Sequence, residues 1–81
     1  MLDLNQRQIA WNNINLAKRY LDTDPHLANF VLRDLDATKE AGLSDLAWAG
    51  HRDGNLHKND VKFLIELLEK HLLEYDEVSK A

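Results

Sequence analysis

The chain has 81 residues, 44% of them hydrophobic and 30% charged, with a formal net charge of −4 and no cysteine. That length bounds it to one domain, residues 1–81, with a modest core, and the composition belongs to a folded chain rather than a disordered one. Without cysteine there is no disulfide framework, thiolate nucleophile or zinc–sulfur site, which fits a reducing compartment and a cytoplasmic protein.

The opening MLDLNQRQ puts an aspartate where a signal peptide carries positive charge, and no long apolar run follows. Neither a targeting segment nor a membrane span is expected. The first helix starts at Asp3 or Asn5, each followed three residues later by glutamine in capping-box spacing, and runs to about Leu21. At about 100° per residue, it gathers Ile9, Ala10, Leu16, Ala17, Tyr20 and Leu21 on one side, with Ile14 at the edge. Asn13 falls within that face as a polar group that sets register, while Trp11 points away beside Arg7 and Lys18.

Asp24 caps a second helix and Pro25 takes its first position, where a missing N–H costs nothing. Its apolar arc holds Leu27, Phe30, Val31, Leu35 and Ala41, with Asp34 inside the arc and Leu32 opposite, among Arg33, Asp36 and Lys39. A carboxylate so placed is paired with Arg19, His71 or a backbone amide, or sits where the arc opens to water at one end, or is a perturbed acid used in catalysis or recognition. The helix stops at EAGLS, where Gly42 takes the left-handed C′ position and Leu43 folds back as its clasp. Ser44 caps a short third helix, Asp45 to Ala49.

Asn59 or Asp60 caps the last helix, which carries the strongest period in the chain: Val61, Leu64, Ile65, Leu68, Leu72 and Tyr75. Lys62–Glu66, Glu66–Lys70 and Lys70–Glu74 are spaced for weak surface pairs. Leu73 projects into the charged face, Phe63 lies at the far margin of the stripe, and His71 sits near the apolar edge. The expected fold is all-α, a compact bundle of three long helices plus one short helix, with dimerisation as one use for its surplus apolar residues.

Between the last two helices lies AGHRDGNLHKND, Ala49 to Asp60. Aligning Gly54 with the glycine of a calcium loop puts Ala49 at the first ligand, His51 at the third and the short Asp60 at the bidentate position, so hard oxygens are too few. His51 and His57, six residues apart with no cysteine nearby, are weak zinc ligands. The plainer reading is a turn at Asp53-Gly54, and no metal or cofactor is expected.

ATKEAGLSDLAWAGHRDG, Ala37 to Gly54, resembles a helix-turn-helix: small residues, a glycine, an apolar residue, a serine cap and a second helix. That resemblance implies a DNA-binding regulator centred on residues 37–54. The would-be recognition helix opens Ser44-Asp45-Leu46-Ala47, with no arginine, lysine, asparagine or glutamine for bases and phosphates. Residues 60–79 hold six acids against two lysines, and the overall charge also opposes nucleic acid.

Enzymatic chemistry has no phosphate loop, nucleophile elbow or metal signature behind it, so no activity is expected. What remains is a non-enzymatic protein-binding protein, of an inhibitor, immunity, antitoxin-like or adaptor kind, that occludes a partner's surface. Trp11, Leu32, Phe63 and Leu73 are the apolar anchors it would use, or else part of a larger core. Glu66, Glu69 and Glu74, with Asp76 and Glu77, would steer a basic partner. A homodimer would use the same residues.

Overall fold

A computed structural model describes residues 2–53 and 58–80, and the described residues form five α-helices and no strand. The all-α expectation holds, but the element count differs. Helix α1 is Leu4–Tyr20, α2 is Pro25–Arg33, α3 is Asp36–Glu40, α4 is Ser44–Asp53 and α5 is Lys58–Lys80. None is long and apolar enough to cross a membrane.

Local chemistry sets most of the boundaries. Asp3 caps α1: its carboxylate accepts from the Gln6 amide at 2.7 Å, and the Gln6 side chain accepts from the Asp3 amide at 2.9 Å. Two of the helix's orphan donors are thereby satisfied reciprocally. Asp24 accepts from the Leu27 amide at 3.1 Å, and Pro25 follows it as the first residue of α2.

The single long second helix expected from the sequence is two helices. After Arg33 the backbone leaves helical geometry, with Leu35 extended at φ −68° and ψ 143°. The Leu32 carbonyl, which a continuous helix would satisfy, instead accepts from the buried Thr38 hydroxyl at 2.6 Å. That bond holds α3 back against the end of α2. The α3–α4 turn is as expected: Gly42 has φ +73°, its amide donates to Lys39, and the Leu43 amide donates to Thr38. These are the two hydrogen bonds of a Schellman ending. Helix α4 begins at Ser44 but continues past Ala49 to Asp53, and α5 begins at Lys58, so most of the expected connector is helical and Asn59 and Asp60, expected to cap the last helix, lie inside its first turn.

The core is Leu2, Ala10, Ile14, Ala17, Ala28, Leu32, Ala37, Ala47, Val61, Leu64, Ile65, Leu68 and Leu72. Helix α5 contributes five of these, all within the stripe that its periodicity marks. At about 1.5 Å per residue, α5 extends roughly 35 Å, most of the molecule's 41 Å long dimension. Helix α1 runs antiparallel to it. The Tyr75 hydroxyl donates to the Leu2 carbonyl at 2.7 Å, Lys18 pairs with Glu69 at 2.7 Å, and Lys58 pairs with Asp22. Helices α1 and α2 make the most extensive packing contact in the fold. Asn13 donates across that contact to the Val31 carbonyl at 3.1 Å, and Ala10 and Ala17 of α1 and Ala28 of α2 are fully buried.

Both helices are rotated from the orientation that apolar spacing suggests. On α1 the buried line is Ala10, Ile14 and Ala17, and Ile9 and Tyr20 face solvent. On α2 the buried residues are Ala28, Asn29 and Leu32, while Phe30 is 54% exposed and Asp34 is exposed. Leu32, expected on the outer side, is fully buried. Asp34 is exposed, as the alternative of an arc open to water at one end has it, and needs no buried partner. The reason is that α2 packs against α1, α4 and α5 together. A short alanine and an amide that donates to Ala47 at 2.9 Å fit that junction, where a phenylalanine does not.

Candidate functional site

Helix α5 presents two different stripes. Its inner stripe is core. Its outer face carries Phe63 (52% exposed) and Leu73 (53% exposed), with Glu66, Lys70 and Glu74 also exposed. Phe63, Glu66, Lys70 and Leu73 follow one another at spacings of three, four and three, so they lie along one side of the helix. Phe63 and Leu73 are separated by ten residues, about 15 Å along the axis. Among the described residues, neither Glu66 nor Lys70 has an ion-pair partner. The i, i+4 spacing between them has not drawn them together.

The seven residues singled out from the sequence are thus divided. Phe63, Glu66, Leu73 and Glu74 share the outer side of α5. Leu32 is in the core, and Trp11 is half-buried and packed against it. Both serve the larger-core alternative rather than a free anchor. Glu69 is partly covered and bonded to Lys18, so it braces α5 against α1. Asp76 and Glu77 lie on α5, but their side chains are outside the described residues, as are Gly54 to His57 and the side chains of His51 and Asp53.

A second apolar feature was not legible from helical spacing. The Arg33 guanidinium lies over the Phe30 ring at 4.7 Å and over the Trp48 ring at 4.3 Å, joining α2 to α4. Delocalised charge on a ring face is favourable, and it covers part of two large apolar side chains. The i, i+3 spacing places Arg33 beside Phe30, but nothing in the spacing brings Trp48 of α4 to the same guanidinium. Arg7 is placed similarly over Tyr75, at 5.0 Å.

No protein-family model, curated protein or solved structure matches this chain.

Among the described residues, α1 borders two depressions. One, about 420 Å³, is lined by Leu2, Gln6, Asp36, Lys39 and Glu40. The Gln6 amide donates to Asp36 across it at 2.9 Å. The other, about 330 Å³, is lined by Asn12, Asn13, Asn15, Leu16 and Arg19, all from α1. Both are open to solvent, and neither gathers an acid and a base around an enclosed volume. His71, a candidate partner for Asp34, has its Nε2 buried with no hydrogen-bond partner among the described residues. Helices α3 and α4 form the helix-turn-helix segment, with α3 only five residues long. The first turn of α4 exposes Asp45 and Leu46. An acid there repels phosphate.

Proposed function

We propose that this chain is a small, acidic, cytoplasmic protein without catalytic activity of its own, which acts by binding another protein and covering a basic part of that protein's surface. The observation that carries this reading is the outer face of α5, where two half-exposed apolar side chains alternate with carboxylates. Isolated exposed apolar residues are ordinary. Two on the same side of the longest helix, remote from the core seam, form a surface that an apolar pocket on a partner can desolvate. Glu66 and Glu74, on a chain of net charge −4, favour approach to a basic rim and add specificity more than affinity.

The test is affinity capture from the native host, followed by binding measurements with the purified partner. Phe63→Ala combined with Leu73→Ala is expected to weaken that binding at least about tenfold, as truncated anchors do. Raising salt is expected to slow association. Undiminished binding by the double variant defeats the reading. The alternative of a DNA-binding regulator predicts a salt-sensitive gel shift on duplex DNA, and the exposed acid at the start of α4 argues against it.

A further inference from the structure

The outer residues of α5 have a pattern that generic exposure does not require. Phe63, Glu66, Lys70 and Leu73 occupy consecutive a and d positions of a heptad, the repeat that keeps one seam of a helix turned toward a partner helix. The order along this seam is apolar, acidic, basic, apolar. It is therefore complementary to its own reverse. Two such helices laid antiparallel about a two-fold axis level with residue 68 form four layers. Phe63 meets Leu73 of the second copy at each end, and Glu66 meets Lys70 of the second copy in both central layers. An isologous contact needs this property: what residue i meets in j, j meets in i.

Charge also chooses the direction. A parallel pairing would stack Glu66 on Glu66 and Lys70 on Lys70, and like charges facing each other reject a wrong register. Both groups are available, since neither has an ion pair among the described residues. We propose that this seam is an interface for a second copy of the chain, forming an antiparallel α5–α5 dimer. The proposal rests on the reading of this face as a protein-binding surface, and it adds a regulation to it. Self-pairing hides Phe63 and Leu73, so a foreign partner and a second copy compete for one stripe.

The contact is small. A seam of four residues and its flanks falls well short of the roughly 20–30 residues per side of a standard interface. The dimer is accordingly weak and concentration-dependent, with dissociation in the micromolar-to-millimolar range.

Sedimentation equilibrium and light scattering of the full chain, from about 10 μM to about 1 mM, read the association directly. Glu66→Lys alone and Lys70→Glu alone each create two like-charge layers and are expected to weaken self-association at least about tenfold. Mixing the two variants restores opposite charges in both layers, as does the double swap E66K/K70E, so both are expected to recover association. Far-UV circular dichroism of each variant controls for folding. A wild type that stays monomeric through that range, or a mixture that associates no better than its components, overturns the proposal. Failure here is separable from failure of the binding function. A monomeric chain that still captures a basic protein through Phe63 and Leu73 sinks only the dimer. A dimer whose capture of other proteins ignores those residues sinks only the occlusion role.

Discussion

Thr38 is fully buried, and its hydroxyl donates to the Leu32 carbonyl at 2.6 Å. That carbonyl otherwise has only the Asp34 amide and a long contact from Leu35 at 3.4 Å, neither of which replaces a regular helical bond. Thr38→Val keeps the volume and removes the donor, leaving a buried acceptor poorly satisfied. Its expected cost is about 1–2 kcal/mol, measured by urea unfolding. Asn29 plays a comparable part between α2 and α4, its amide reaching the Ala47 carbonyl. Neither residue stands out in a search for catalytic or metal-binding side chains. Their importance is the matching of two polar groups in a place without water.

At the scale of elements, the endings that depend on one residue's own chemistry were readable in advance. Asp3, Asp24 and Gly42 do what their types and spacing indicate. Gly42 provides a clean test, because a β-carbon there meets no atom within 4 Å and only the positive φ opposes substitution. Gly42→Ala is expected to cost about 1 kcal/mol through backbone strain alone, read as a lower thermal midpoint with unchanged helix content. The break between α2 and α3 was not readable in this way. Nothing local at Asp34-Leu35 forbids a helix, and the break is stabilised by a hydroxyl from the next element and by packing against three neighbours. The rotations of α1 and α2 have the same origin. Spacing identifies an apolar arc wider than any one contact, and the packing partners choose which part of the arc is buried. The buried part holds Ala10, Ile14 and Ala17 on α1 and Ala28, Asn29 and Leu32 on α2, which leaves Ile9 and Phe30 outside.

For the whole molecule, 81 residues leave little interior to spare, so a side chain's place inside or outside the core has clear consequences. Leu32→Ala removes a fully buried side chain at the meeting of α2 with its neighbours and is expected to cost about 2–5 kcal/mol. That is a large fraction of the stability of a domain this size. Phe63→Ala with Leu73→Ala is expected to change stability by no more than about 1 kcal/mol, since both are half exposed. Chemical denaturation of the two variants side by side checks the contrast. Equal losses would mean that the outer face of α5 belongs to the fold and is not held in reserve for a partner. From sequence, Leu32, Phe63 and Leu73 had the same standing, as apolar residues out of pattern.

The chain's sequence was sufficient for the helical class, for three of the caps and for the inner stripe of α5. Each rests on interactions within a turn or two of backbone, or on a period long enough to have one solution. The tertiary structure alone decided which face of α1 and α2 is buried, where the second helix breaks, and that Phe63, Glu66, Leu73 and Glu74 share an open face while Leu32, Trp11 and Glu69 do not. Those outcomes are set by several helices competing for the same small volume. Only the packed arrangement resolves that competition, because close packing rewards the joint fit of all the side chains and not the hydrophobicity of any one.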